Sequence, residues 1–286
     1  MAEEVGQTGI RGENIERAVK GFALQEFKMK QVLMQTTSND WTETFYRETA
    51  AELTPAGETF NIQGVARNAA FPNVDGSWTK FQGQHIKFAA ESTISLEDSL
   101  TDAIDVQART ILRVARAIAN QVDSYIYAQL SGASGINTAA AVATWDSATV
   151  ADRDPIRDIL TGIQFINVDN YDAQSNGFLL LSPVDYTNLM MNSKVINNPS
   201  FKTADVVSNG VVGQIAGLKI IVSNVVTADE ALIVIGQRAA TWKSAAALTS
   251  RVIENEGVNF TIRSWEIGQV QVTDPEAIHK ITDTQL

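Results

Sequence analysis

The longest regular pattern of apolar positions predicts a single long helix in the first half of the chain. From residue 99 to residue 130, apolar side chains recur at alternating steps of three and four, which places them on one face of an α-helix. Such a helix would be about 45 Å long at roughly 1.5 Å per residue. Ser99 followed by Asp102 forms a capping-box pattern at its start, and Gly132 follows its end.

A different pattern precedes this helix. Between residues 41 and 90, large apolar residues are separated by turn formers, which predicts a long β-hairpin or loop. Trp78, Lys80 and Phe81 follow a turn at residues 75–76, so they would lie at the far end of the hairpin. An isolated hairpin cannot bury its faces on itself. These residues therefore predict contact with a core that the sequence does not reveal or, the favoured interpretation, with a partner surface.

The second half of the chain alternates short helices and strands. Asp154-Pro155 and Ser182-Pro183 each place a capping side chain before a proline, the pattern expected at a helix start. Short apolar or β-branched runs predict strands at residues 178–181, 217–223, 231–235, 258–262 and 267–272, with a last extended piece through residue 281. With a short helix predicted in a loose arm at residues 14–34, the fold class is mixed α+β.

The composition is that of a folded protein without cysteine chemistry. Of the 286 residues, 44% are hydrophobic and 19% are charged, which supplies a core for one large or two intertwined domains. The lack of cysteine excludes disulfides and cysteine-based zinc or iron–sulfur sites. The N-terminus has no secretion-signal pattern, and no apolar run approaches the roughly 18 residues of a membrane span. We therefore expect a soluble protein of a reducing compartment with no membrane partner.

The charge distribution opposes a protein-wide attraction to polyanions but allows a local one. The formal net charge is −11, which disfavours non-specific binding to DNA or anionic lipid. On the predicted long helix, Arg109, Arg113 and Arg116 are spaced by four and three residues and would form one stripe opposite the apolar face. That stripe is either a solvated polar face or a cationic surface for a polyanion or a neighbouring subunit.

No motif for catalysis or metal binding is present. The sequence lacks the nucleophile-elbow, zinc-protease, P-loop and dinucleotide-binding patterns. The remaining acid–base candidates are better explained as capping, hairpin-end, solvated or structural residues; they are His85, His279, Asp152, Asp154, Glu254 and Glu256. Asn167, Asp169 and Asp172 resemble part of a calcium loop, but Tyr171 occupies a ligand position. We therefore predict no catalytic residue, no metal site and no cofactor.

The order of these segments resembles the major capsid protein family of tailed bacteriophages, whose shell fold is shared by encapsulin nanocompartments. The similarity covers most of the chain and depends on the shared order of its motifs. The segments concerned are residues 94–99 (ISLEDS), 123–132 (DSYIYAQLSG), 176–186 (NGFLLLSPVDY), 217–223 (GLKIIVS) and 265–277 (WEIGQVQVTDPEA).

This resemblance implies a phage-capsid shell fold and its division into segments. An N-terminal arm would occupy residues 1–45, and an extended β-hairpin, the E-loop of the family, residues 46–92. A peripheral domain with the long spine helix would follow at residues 93–140, then an axial domain at residues 141–242. Residues 243–286 would supply the return strands of the peripheral domain.

The resemblance also implies a structural protein and not an enzyme. Its copies would form hexamers and pentamers that close into an icosahedral head around double-stranded DNA, assembled in the host cytoplasm and located in the virion capsid. Scaffold, portal and decoration proteins are further partners that the family implies, with packaged DNA contacted only weakly.

Particular residues acquire expected roles from the same resemblance. Trp78, Lys80 and Phe81 would contact a neighbouring subunit, and the arginine stripe of the long helix would face the interior or the genome. In some family members a hairpin lysine bonds covalently to an asparagine of a neighbour, and Lys80 has a comparable place. Two alternatives remain open: an encapsulin-like compartment with a protein cargo, and a carboxylate-dependent hydrolase using Asp152 and Asp154.

Overall fold

The computed structural model describes residues 19, 27–47, 66–70, 79–101, 106–169, 171–196, 214–255 and 257–286. Within these ranges the chain forms a mixed α+β fold with two main sheets and a separate hairpin. The helices are α1 (Leu96–Thr101), α2 (Val106–Ser131), α3 (Pro155–Val168), α4 (Pro183–Met191) and α5 (Ser193–Ile196). The strands are β1 (Met34–Thr37), β2 (Thr42–Arg47), β3 (Thr79–Gln84), β4 (Ile86–Ser95), β5 (Asn137–Ala140), β6 (Gly177–Leu181), β7 (Gln214–Ile215), β8 (Leu218–Val222), β9 (Glu230–Ile235), β10 (Ala240–Asn255), β11 (Asn259–Val272) and β12 (Ile278–Thr282).

The first sheet is built on one long hairpin. Its four strands lie in the order β1-β10-β11-β4, with β10 and β11 antiparallel and β1 parallel to β10. The long helix α2 packs across β4 and β11. Aromatic rings fill this interface, since the Phe88 ring lies 5.5 Å from that of Tyr125 and 6.3 Å from that of Trp242, measured between centroids. The helix is therefore held by the sheet along its apolar face.

The second sheet contains many of the deeply buried aliphatic residues. Its six strands lie in the order β5-β12-β9-β6-β8-β7, and every residue of β6 is buried. Helix α3 packs on β12 at Gly162, where a Cβ would come within 2.7 Å of the His279 ring. The glycine thus permits the close approach of helix and strand.

The predicted long helix is present, but its start differs from the prediction. Helix α1 begins at Leu96, so Ser99 lies inside this helix and not at its start. The cap is Ser95, whose Oγ accepts a hydrogen bond from the Asp98 N–H at 3.0 Å. The pattern of a serine followed three residues later by an acid occurs at Ser95 and Asp98 and again at Ser99 and Asp102. The first occurrence marks the helix start because β4 ends at Ser95. Residues 102–105, including the predicted acid Asp102, lie outside the described residues.

Both proline-marked helix starts are confirmed. The Asp154 carboxylate accepts a hydrogen bond from the Arg157 N–H at 3.3 Å at the start of α3. Ser182 Oγ accepts one from the Asp185 N–H at 3.1 Å at the start of α4. It also donates to the Asp185 carboxylate at 2.7 Å, which completes a reciprocal cap.

The C-terminal strands differ from the prediction in length. The two strands expected at residues 258–262 and 267–272 are one continuous strand, β11. Its partner β10 was not predicted, because its alanine- and serine-rich middle lacks a β-branched pattern and contains irregular register near residues 244–249. Strands β8 and β9, which follow each other in the chain, do not pair with each other, since β6 lies between them.

Candidate functional site

The β2–β3 hairpin presents one face to the body of the protein and one to solvent. Register pairs Phe45 with Phe81 and Tyr46 with Lys80. The Phe45 and Phe81 rings stack at 5.9 Å on the inner face. Tyr46 and Lys80 are exposed on the outer face, where the exposed fraction of Tyr46 is 55%. The hairpin therefore exposes a tyrosine–lysine pair while its phenylalanines pack inward.

The inner face of the hairpin is attached to the body through Glu43, which accepts a hydrogen bond from the Gln271 side chain at 2.8 Å, and through Arg47. Its Nε donates to the Val272 carbonyl at 3.1 Å, and a terminal nitrogen donates to Ser134 Oγ at 2.8 Å. The guanidinium also lies 4.0 Å from the centre of the Phe81 ring. Burial lowers the pKa of Arg47, which stays charged because a guanidinium titrates far above neutrality.

Of the three residues predicted to touch a partner, the two that are described lie on opposite faces of the hairpin. Lys80 is exposed, whereas Phe81 faces the body and lies under Arg47. Trp78 lies outside the described residues. The expectation for Phe81 changes because residues alternate between the two faces of a strand, so Lys80 and Phe81 cannot both face outward. Trp41, which precedes β2, is a large aromatic on this part of the surface with an exposed fraction of 53%.

The N-terminal arm is fixed to helix α2 by a buried carboxylate. The two oxygens of Asp123 accept hydrogen bonds from the backbone N–H groups of Lys28 at 2.8 Å and Met29 at 3.2 Å. Burial raises the pKa of Asp123 to about 6, while these two hydrogen bonds act in the opposite sense. The carboxylate thus satisfies backbone donors of the arm that would otherwise be buried without partners.

A buried ion pair joins the arm to the first sheet. Lys30 pairs with Glu266 of β11, and both side chains are largely inaccessible to solvent. The ammonium also lies 3.6 Å from the centre of the Phe27 ring and 5.1 Å from that of Trp242. Burial lowers the pKa of Lys30, and the neighbouring Glu266 carboxylate opposes that shift. Removing one partner alone would leave a buried charge.

The arginine stripe of α2 lies on the exposed face of the helix, as its spacing predicts. Arg109, Arg113 and Arg116 are all exposed. Arg113 and Arg116 line an open groove of about 490 Å³, and Arg109 does not. The other residues of the groove come from the arm, from α2 and from the segment after β8; they are Lys28, Ala117, Ala119, Asn120, Asp123, Ser223, Asn224 and Val225. The structure thus brings two of the three arginines together with a lysine from the arm.

The acid–base candidates lie in separate places. His279 is buried, its ring stacks on Phe165 at 5.2 Å, and burial lowers its pKa to about 4. His85 is buried at the base of the hairpin, where its backbone N–H donates to the Trp41 carbonyl at 3.1 Å. Asp154 caps α3 and pairs with Lys194, while its neighbour Asp152 is exposed.

The segment that resembles a calcium loop uses its oxygens for local structure. Asn167 Oδ1 accepts a hydrogen bond from the Ala173 N–H at 3.3 Å, and an Asp172 oxygen accepts from the Gln174 N–H at 3.0 Å. Asp169 accepts from the Asn137 side chain at 2.7 Å. In the described part of the chain, no group of three or more histidine or acidic side chains is placed to hold a metal ion. No helix there is long and apolar enough to cross a bilayer.

Sequence reasoning missed the residues that fasten the arm and the hairpin. Asp123 follows Ala115 and Ala119 in steps of four and precedes Tyr127, and all four side chains are buried. A carboxylate in a buried helical row was therefore a detectable sign of an important contact. Nothing comparable marked Arg47 or Lys30, whose partners lie far away in the sequence.

Comparison with protein families gives one match over most of the chain. The family model described as "Phage capsid protein" matches residues 81–281, which run from within β3 through β11 and include nearly all of β12. No curated protein matches the chain in sequence.

Solved structures with the same fold include capsid and particle proteins. A capsid structure of cyanophage P-SCSP1u has a TM-score of 0.69 at 12% identity and covers 91% of this chain and 89% of its own. A virus-like particle from Pyrococcus furiosus has a TM-score of 0.64 at 12% identity, with 94% and 98% covered. A structure from Mycobacterium phage Che8 has a TM-score of 0.63 at 14% identity, with 91% and 92% covered. At such low identity these matches establish the fold, which is that of a phage capsid shell.

Proposed function

This chain belongs to the phage capsid protein family, and from that premise we propose that many copies form hexamers and pentamers that close into an icosahedral head around double-stranded DNA. The family is a structural one. The similar cyanophage structure is itself a capsid, and the similar Pyrococcus furiosus structure a virus-like particle. The location that follows is the virion capsid, after assembly in the host cytoplasm.

The observation that best supports self-assembly is the unburied outer face of the β2–β3 hairpin. Neither strand contains a buried residue. A two-stranded hairpin is marginally stable alone in water, yet this one presents Tyr46 and Lys80 to solvent, with Trp41 nearby. A neighbouring subunit covering this face would bury the aromatic side chains, which are frequent anchors at protein interfaces.

The segment boundaries expected from the family complete this proposal. The arm is residues 1–45, the extended hairpin residues 46–92, the peripheral domain residues 93–140 with return strands at residues 243–286, and the axial domain residues 141–242. Trp78 and Lys80 of the hairpin would contact the neighbour, while Phe81 would support them from the inner face. The arginine stripe of α2 would face the packaged DNA, which the net charge of −11 keeps from binding tightly overall.

The other hypotheses have less support. An encapsulin-like compartment has the same fold but would hold protein cargo, and the matching family is one of phage capsid proteins. The proposed hydrolase pair gains nothing from the geometry, because Asp154 is already engaged as a helix cap and in an ion pair with Lys194. Scaffold, portal and decoration proteins stay as proposed partners.

The hairpin proposal is tested by shortening the hairpin and changing the outer face of its paired strands. Residues 48–78 are replaced by Asn-Gly, a two-residue turn suited to joining the paired residues Arg47 and Thr79, and Tyr46→Ser and Lys80→Glu are introduced on the outer face. We expect the wild-type chain to form rings or closed particles in negative-stain microscopy and light scattering. The shortened chain should remain folded, with a thermal unfolding transition, but form no closed particles.

Two outcomes would contradict this proposal. Normal particles from the shortened chain would show that neither the outer face of β2–β3 nor residues 48–78 are needed between subunits. A wild-type chain that stays monomeric at every concentration would oppose self-assembly itself. As a control for surface changes in general, Arg251→Gln alters an exposed residue of β10 and should leave particle formation unchanged.

A further inference from the structure

The groove beside α2 lies where three distant parts of the chain meet. Lys28 comes from the arm, Arg113 and Arg116 from α2, and Ser223 and Asn224 from the segment that follows β8. Lys28 fixes the position of the groove, because its ammonium donates a hydrogen bond to the Val222 carbonyl at 2.9 Å. A ligand bound here would contact the arm, the long helix and the second sheet together.

The charges that line this groove favour an anion. Three cations line it, and the acid among its described lining residues is Asp123. Both carboxylate oxygens of Asp123 already accept backbone N–H groups of the arm. Its negative charge is therefore directed to the arm, while the ammonium and the two guanidinium groups lie at the open side, where they are exposed.

The donor geometry suits a phosphate better than a simple chloride-like ion. Arg113 and Arg116 are three residues apart on one helix face, so their planar guanidinium groups can approach the same ligand. Guanidinium groups bind two phosphate oxygens at once, and an ammonium has three donors, of which the Val222 carbonyl uses one. Asn120 and Asn224 add side-chain amides to the lining.

We propose that this groove is a binding site for a backbone phosphate of DNA, formed jointly by Lys28, Arg113 and Arg116. The inference rests on the proposed function for the identity of its ligand. The proposed site includes Arg113 and Arg116 but not Arg109, because Arg109 does not line the groove. With a net charge of −11 repelling the rest of the duplex, binding is local, weak and sensitive to salt.

The test measures duplex DNA binding by the unassembled full chain. Fluorescence anisotropy of a labelled duplex of about 20 base pairs is recorded from about 50 to 200 mM salt, a range over which phosphate contacts change affinity strongly. The double variant Arg113→Gln with Arg116→Gln should bind at least about tenfold more weakly at the lowest salt. The slope of log affinity against log salt should become shallower by about 0.9, since the site holds one phosphate and each phosphate contact contributes roughly 0.9.

Matched variants distinguish the groove from cationic surface in general. Arg109→Gln removes the same charge one helical turn away and should have a clearly smaller effect than either groove arginine. Arg251→Gln, on β10, should leave binding unchanged. Circular dichroism and the thermal midpoint of every variant establish that each chain is folded, since exposed arginines contribute little to stability.

Three results would overturn the site. These are unchanged DNA affinity in the double variant, an equal loss from Arg109→Gln, and binding of a poly-glutamate peptide as tight as that of the duplex, which would indicate a carboxylate partner. The particle assay is independent of these readouts. DNA binding as expected without particles would refute only the shell proposal, whereas particles with unchanged DNA binding in the double variant would refute only the groove.

Discussion

Two buried titratable side chains, Asp123 and His279, are shifted in opposite senses by the same cause. Burial disfavours the charged form of each group. It therefore raises the pKa of Asp123 from 3.8 to about 6 and lowers the pKa of His279 from 6.5 to about 4. Neither ring nitrogen of His279 has a hydrogen-bond partner among the described residues, so nothing there offsets its burial.

These shifts make opposite contributions to the pH dependence of stability. Between pH 3.8 and about 6, the folded protein holds a proton on Asp123 that the unfolded chain has released, so this contribution to stability falls as pH rises. Between about pH 4 and 6.5, the unfolded chain holds a proton on His279 that the folded protein lacks, so this contribution rises with pH. The two largely cancel in the wild-type protein.

Substituting either Asp123 or His279 should reveal the pH dependence of stability that the other residue contributes. Relative to wild type, His279→Leu should lose about 3 kcal/mol of unfolding free energy on going from pH 4 to pH 6, because the Asp123 contribution is no longer opposed. Asp123→Asn should show the opposite slope. Urea denaturation at a series of pH values measures both, and parallel profiles for the two variants would refute the assignment.

From the packing around Trp242 we predict the effect of a second substitution on stability. A Cβ at Gly268 would overlap the six-membered ring of the buried Trp242 side chain. Gly268→Ala should therefore destabilise the protein by about 1–3 kcal/mol through overpacking. Gly257→Ala is the control, since its Cβ would have no atom of the described residues within 4 Å apart from its chain neighbours, and only the positive φ of 76° is strained, at a cost of about 1 kcal/mol. Equal losses in urea denaturation would contradict this explanation.

Among the secondary-structure elements, the β2–β3 hairpin is attached to the body by the side chains of Glu43 and Arg47. Arg47 joins it to Ser134 and Val272, and the paired strands are marginally stable alone. Arg47→Ala should speed hydrogen exchange of the amides at residues 42–47 and 79–84, with little change in exchange of the main sheets. Arg263→Ala breaks an exposed ion pair with Glu91 and should leave the hairpin amides unchanged. Unaltered hairpin exchange in Arg47→Ala would show that other contacts hold it.

Elements with local causes could be predicted from the sequence, and elements with distant causes could not. The helix starts at Pro155 and Pro183 depend on capping residues next to them, and the arginine stripe depends only on helical spacing. Strand β10 is stable because it lies between β1 and β11, which its alanine- and serine-rich sequence does not indicate. The groove likewise required the fold, since Lys28 and Val222 are 194 residues apart.

At the scale of the whole molecule, the interior strand β12 is important for the second sheet. Strand β12 lies between β5 and β9, and its side chains Ile278, His279 and Ile281 are buried. Deleting residues 278–286 should prevent folding, because β5 loses its partner, β9 loses one of its two partners and a large apolar surface is exposed. Circular dichroism and solubility measure this effect. Deleting only Leu286, which is 89% exposed, should have almost no effect, and a soluble folded chain from the larger deletion would refute the argument.

The order of strands in the first sheet also affects how the protein is made. Strands β1 and β4 are not neighbours in the sheet. In this sheet β1 pairs with β10 and β4 pairs with β11, and both partners are synthesised later. At about 5–20 residues per second, a ribosome needs roughly 10–40 s to travel from residue 37 to residue 240. During that interval β1 and β4 have no strand of the first sheet to pair with. The β2–β3 hairpin, synthesised early, likewise lacks the Val272 carbonyl of β11 that Arg47 binds, so a prematurely terminated polypeptide would carry the hairpin without the sheet that positions it.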